Sequence, residues 1–303
     1  MDFETFCTTV KEIIESNVDD KTEVTINDVT KNNGLVLKGI VIRKTDSRIS
    51  PTVYLERFYE QYREGTSLYD LADQIMEYSM LNAKTDIDAD CYTDFELVKD
   101  RIIYKIVNFK LNESLLCHVP YIKWNDLAIV FCCLMGETGD GCATILIRNE
   151  HMDMWDVGTE ELYMRACSNT PRLMSDELDT MENIINEMMR KNHIEISDGD
   201  GDGPVFGTLE MYVLSNSCRI FGATSILYSE SIKQLAMRHG RGLYILPSSI
   251  HEVIILPEDE ACDIHYMQSM IKEINETQVD LEDRLSDNLY YYDPQTEKIT
   301  IAV

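Results

Sequence analysis

Apolar residues recur at helical spacing at the start of the chain: Phe3, Phe6, Val10, Ile13 and Ile14 predict one amphipathic helix over residues 2–16. Two β-rich runs, 22–26 and 35–42, flank Asn32-Asn33-Gly34, a strong turn signal, so a hairpin follows. Ser50-Pro51 reads as an N-cap with proline at the first helical position, opening a helix through Leu55, Phe58, Tyr59 and Tyr62 that Gly65 stops. Another helix is expected over 67–81, and the acidic, turn-rich stretch 84–94 reads as a boundary.

The middle of the chain alternates differently. A strand is expected over 101–109, and the nine apolar residues 127–135 form a second, which residues 136–141 turn into a third over 142–147. Helices follow over 159–168 and 175–190. The second has Ser175 as cap, Asp176 and Glu177 in its first turn, and Leu178, Met181, Ile185 and Met188 as a core stripe. Beyond residue 205 the pattern predicts strand 210–216, helix 223–239 stopped by Gly240, strands 243–246 and 252–256, and helix 261–275. A closing hairpin of 288–292 and 298–302 turns at Asp293-Pro294-Gln295. Helices and hairpins are interspersed without regular β-α-β alternation, so the fold class is α+β, built from antiparallel or mixed sheets. Three sections are expected: 1–95, 96–195 and 205–303.

Composition narrows the classes. The 303 residues are 44% apolar and 27% charged, which suits a globular chain. The longest apolar run is far short of the roughly 20 residues that span a bilayer, so no membrane association is expected. The start Met1-Asp2-Phe3-Glu4 lacks the basic and apolar regions of a secretory signal, and a cytoplasmic location is expected. Nine cysteines without any C-x-x-C pair read as reduced, mostly buried hydrophobes. Fifty-four acids against 27 bases give a formal charge of −27, a field that repels nucleic acid and excludes direct binding to it. The same excess fits a mimic of DNA charge that sequesters a DNA-binding protein, for which acids in a continuous stripe, sought first between Glu258 and Glu297, would be the mark.

Candidate chemistry is sparse. Asp198, Asp200, Asp202 and Gly203 fill the first half of a calcium-loop pattern, but position 12 is Leu209 rather than the bidentate Glu, so a solvated connector is expected and no metal is assigned. Ser248, Ser249, His251 and Glu252 gather a nucleophile, a base and an acid in one turn. Neighbours on a turn rarely meet side chain to side chain, so a catalytic reading needs an acid brought from elsewhere, and a structural hairpin is the simpler one. Gly136, Gly139 and Gly141 carry Glu137 and Asp140 among them, which would repel phosphate. Cys117 and His118 are adjacent, a poor geometry for one metal. No cofactor is implied.

Four segments carry a resemblance: 244–257 (YILPSSIHEVIILP), 161–172, 211–216 and 275–287. Over most of the chain they resemble an uncharacterised domain-of-unknown-function family of anaerobic Gram-positive, clostridial bacteria, distantly similar to the YtpQ-like proteins. The resemblance implies no activity, cofactor or catalytic residue. The first reading is therefore a cytosolic, non-enzymatic protein that binds a macromolecular partner or a small ligand. The alternatives are a hydrolase using Ser248 or Ser249 with His251, and the acidic mimic.

Overall fold

The computed structural model describes residues 1–45, 50–82, 92–138, 141–191, 210–259 and 263–302. The chain divides into two compact units, Met1–Asp94 and Phe95–Val303. The α+β class holds: helices are interspersed among antiparallel sheets of three, four and six strands.

In the first unit, α1 (Phe3–Asn17) is capped by Asp2, whose carboxylate accepts the Thr5 N–H at 2.8 Å. Its Phe6, Val10 and Ile14 enter the core, as their spacing predicts. Strands β1 (Thr22–Thr30) and β2 (Val36–Lys44) pair from Thr22↔Lys44 to Thr30↔Val36, and Asn33 adopts the left-handed conformation, φ 58°, in the turn between them. The segment opened by Ser50-Pro51 departs from expectation. It forms a strand, β3 (Thr52–Tyr54), on the free edge of β2, and α2 (Glu56–Arg63) begins only afterwards. Pairing across the sheet outweighed the local cap signal, since Glu56 Oε1 accepts the Lys38 N–H at 2.7 Å and anchors the helix start on β2. With α3 (Leu68–Asn82), these elements enclose Ile40, Leu55, Phe58, Leu71 and Ile75.

The second unit opens with a short helix, α4 (Phe95–Val98), and then β4 (Ile102–Asn108), apolar on both faces. After α5 (Glu113–Leu116) come β5 (Tyr121–Trp124), the long β6 (Leu127–Thr138) and β7 (Gly141–Leu146). Strand β6 pairs with β4 along one edge, and along the other with β5 and then β7. Glycine 136 lies inside β6 at a register shift rather than in the turn expected of it. The outer edge of β4 is closed by side chains. Thr170 Oγ1 accepts from Tyr104 N at 3.1 Å, and Thr224 Oγ1 from Ile106 N at 3.2 Å.

Helices α6 (Asn149–Trp155) and α7 (Thr159–Leu173) lead into β8 (Asp176–Thr180) and α8 (Met181–Lys191). The single helix expected over 175–190 is thus a strand and then a helix. Asp176 and Glu177 look like first-turn acids, but residues 176–180 pair with β9 (Tyr212–Asn216) and alternate in burial. The methionine stripe is correspondingly not core, with Met188 59% exposed.

The helix expected over 223–239 is also two pieces: a 3₁₀ segment (Gly222–Leu227) and α9 (Glu230–His239). Tertiary bonds break it. Thr224 is drawn to β4, Ser225 Oγ donates to Ser215 O at 2.9 Å, and the Tyr228 hydroxyl to Met174 O at 2.6 Å. Strands β10 (Leu243–Leu246) and β11 (Val253–Pro257), helix α10 (Ile264–Thr277), a 3₁₀ turn (Leu281–Asp283) and the hairpin β12 (Tyr290–Asp293) to β13 (Lys298–Ile301) complete the unit. The sheet order is β13-β12-β10-β11-β9-β8, with Met267 and Ile271 of α10 packed on one face.

The two sheets of this unit meet at Asp126, in the two-residue β5–β6 turn. Its carboxylate accepts from Ser286 Oγ (2.7 Å), Asn288 Nδ2 (2.9 Å) and the hydroxyl of Tyr290 (2.5 Å), a residue that is wholly buried. Burial and the Asp126 charge both push the Tyr290 phenol far above its usual range, so it stays a donor.

Candidate functional site

The hairpin loop between β10 and β11 carries the sequence candidates, and the 281–286 segment zips it in place. Ile250 N donates to Asp283 O at 2.8 Å, Leu285 N to Ser248 O at 3.1 Å, and Ser286 N to Pro247 O at 2.9 Å. This brings Asp283 to His251, with 3.2 Å between Nε2 and Oδ1. The hydrogen bond to Asp283 raises the His251 pKa above its ordinary value, against the opposing effect of burial. The ring lies parallel to Phe221 at 6.4 Å, and the Lys105 ammonium sits 4.2 Å from that Phe221 ring.

The loop therefore unites His251 with an acid that sequence reading could not name, since Asp283 lies 32 residues away. The serines are placed otherwise. Ser249 is buried, and its Oγ accepts the backbone N–H of His251 at 3.0 Å. His251 Nδ1 is buried without a partner, so among the described residues neither ring nitrogen is hydrogen-bonded to a serine. Ser248 is half-buried and Glu252 exposed, contributing charge near His251. Asp198, Asp200 and Asp202 lie outside the described residues. Among those described, no three His, Cys, Asp or Glu side chains are grouped to hold a metal ion.

A different feature of the unit has the dimensions of a ligand site. A cleft of about 530 Å³ opens where β5, α7, the start of α9 and the β12–β13 hairpin converge. Trp124, Tyr163 and Tyr292 line it together with Ile129, Ile226 and Ile299. Its charged groups are Glu230 and Lys233 from α9, and Glu297 and Lys298 from the hairpin.

Local structure fixes these groups. Asp176 Oδ2 accepts from both Ser229 Oγ (2.7 Å) and Ser231 Oγ (2.6 Å), holding the first turn of α9 on either side of Glu230. Glu297 closes the hairpin in the left-handed conformation, φ 56°, and pairs with Lys233 at 2.5 Å. That bond holds the Lys233 pKa above its ordinary value. Tyr292 is only 6% exposed, and no described residue hydrogen-bonds its hydroxyl. Burial first, and then the Glu297 carboxylate, raise its pKa, so the phenol remains a donor.

The cleft draws residues from positions 124 to 300, and no local motif announces it. The one signal in the sequence is the aromatic run Tyr290-Tyr291-Tyr292, which alternates in burial along β12.

The fold and these sites define an antiparallel α+β protein with a ligand-sized cleft in its second unit. Over residues 3–294 the sequence matches a family of unknown function, DUF5688, and the chain belongs to that family. No curated protein and no solved structure matches it. Among the described residues, no helix is long and apolar enough to cross a membrane.

Proposed function

We propose that the protein is a non-enzymatic binding protein that takes a small ligand in the cleft of its second unit. The observation that carries this reading is the cleft itself. Its volume falls within the few-hundred to ~1,000 Å³ range of small-molecule sites, and aromatic walls with a few polar groups are what such sites use. The Asp176 clamp on Ser229 and Ser231 supports it further, because a pre-positioned rim spares the ligand an ordering cost. A cytoplasmic location, an origin in anaerobic Gram-positive, clostridial bacteria and a distant similarity of the family to YtpQ-like proteins belong to the same proposal.

Thermal-shift screening of a mixed small-molecule library tests it. Hits should stabilise the wild type, and lose that effect in Thr300→Phe, which fills the cleft from the exposed edge strand. Hits that survive the filling would place the ligand elsewhere and refute the reading.

One observation favours a second reading, hydrolysis at the β10–β11 loop: the hydrogen-bonded His251–Asp283 pair has the composition of the base and orienting acid of a catalytic triad. Labelling by a fluorophosphonate probe, abolished in Ser249→Ala and Ser248→Ala together, would support it. The absence of labelling in the folded wild type would remove it.

A further inference from the structure

Which ligand the cleft takes can be read from the groups it leaves without partners; the argument rests on the binding proposal above. Lys233 and Glu297 satisfy each other. Glu230 lies in the field of Lys233 but makes no ion pair with it, and no described residue pairs with the Lys298 ammonium. The cleft thus offers one carboxylate on α9 and one ammonium on β13, each open to a complementary charge.

The neutral donors add direction. The Tyr292 hydroxyl, on a side chain more than nine-tenths buried, has no acceptor among the described residues, and neither has the indole N–H of Trp124. Both donors face the open cleft, where an acceptor-rich group such as a carboxylate can take them in place of solvent. Ile129, Ile226 and Ile299 with the Trp124 ring line the same cleft, a surface suited to an apolar or aromatic body.

A carboxylate for Lys298, Tyr292 and Trp124, an ammonium for Glu230 and an apolar body against the isoleucines describe one compact chemistry. We infer that the cleft binds a small zwitterion of the α-amino-acid type with an apolar or aromatic side chain.

The chain has two tryptophans, and Trp155 is buried in α6 against Phe95, so Trp155→Phe leaves Trp124 as a single reporter on the cleft wall. Its emission is to be titrated with L-phenylalanine, 3-phenylpropionate, phenethylamine and 2-phenylethanol, with calorimetry on the unaltered protein as a check that the substitution is harmless. Phenylalanine should bind at least about tenfold more tightly than the other three, the worth of one charge-assisted hydrogen bond. Lys298→Gln should weaken phenylalanine and phenylpropionate by about tenfold and leave phenethylamine unchanged, while Glu230→Gln should weaken only the two amines. If 2-phenylethanol binds as tightly as phenylalanine, the zwitterion is overturned while the ligand cleft stands. If none of the four perturbs Trp124 and the library screen also finds no cleft ligand, both fall.

Discussion

Removing the Asp126 carboxylate should destabilise the second unit more than any surface substitution, and the structure gives the scale. Asp126→Ala strands three donors at once: Ser286 Oγ, Asn288 Nδ2 and the Tyr290 hydroxyl. Hydrogen bonds to a charged acceptor contribute about 1.5–3 kcal/mol each, and an orphaned buried donor costs about 1–3 kcal/mol. Asn288 is half-buried and can be rehydrated, whereas Tyr290 is wholly enclosed, with the Trp124 ring edge-on at 5.7 Å. Summed with allowance for their shared acceptor, the loss should be about 3–5 kcal/mol. Tyr290→Phe removes one donor and leaves the carboxylate two partners, so about 1–2 kcal/mol is expected. The double variant should fall short of additivity by at least about 1 kcal/mol. Guanidinium titration followed by tryptophan fluorescence reads the right unit, because Trp124 and Trp155 both lie in it. An unchanged m-value would show that the midpoints report stability. An Asp126→Ala protein within about 0.5 kcal/mol of wild type, or strict additivity, would refute the view that this carboxylate joins the two sheets.

Three further outcomes follow. His251 has a folded pKa above its unfolded value of 6.5, so its contribution is fully present below pH 6.5 and is lost as pH rises through the folded value. His151 has the opposite sign, since burial lowers its pKa and its Nδ1 accepts the Arg148 N–H; stability from it is present above pH 6.5 and lost on acidification. Chemical denaturation of the wild type should show a decline between pH 6.5 and alkaline pH that His251→Gln removes, and an unchanged profile would sink the His251–Asp283 assignment. Gly222→Ala should cost about 3 kcal/mol or more in the same titration, because the added Cβ would meet Ser215 Oγ at 2.1 Å and the His251 carbonyl at 2.2 Å, and backbone cannot yield as a side-chain tip can. A melting temperature identical in about 1 mM CaCl₂ and in EDTA is expected from the missing twelfth ligand of the 198–209 loop, whereas a calcium-dependent rise would reinstate Asp198, Asp200 and Asp202 as ligands.

Where local periodicity and tertiary structure agree, the fold was legible from sequence alone. Helix α1, the β1–β2 hairpin, β4, β6, β10 and the final hairpin all lie close to where their patterns put them. The misreadings share a cause. Ser50-Pro51, Asp176-Glu177 and the run from 223 each imitate a helix start or interior, and in each case hydrogen bonds from residues remote in sequence decided the conformation. The site was less legible still. His251 was visible, but Asp283 reaches it only because 247–250 and 283–286 zip together. The cleft needs β5, α7, α9 and β13 to converge, and no residue among them is conspicuous in its own neighbourhood.

The pairing of β8 with β9 bears on how this chain tolerates change. Thr180 faces Tyr212, and Met181 N donates to Met211 O at 2.9 Å, so residues 181 to 211 leave and rejoin the sheet at one rung. Doubling the length of such a closed segment adds only about 0.6 kcal/mol of closure entropy. For the protein engineer this is a port: a reporter domain spliced into the aspartate-glycine stretch should leave the six-stranded sheet in register.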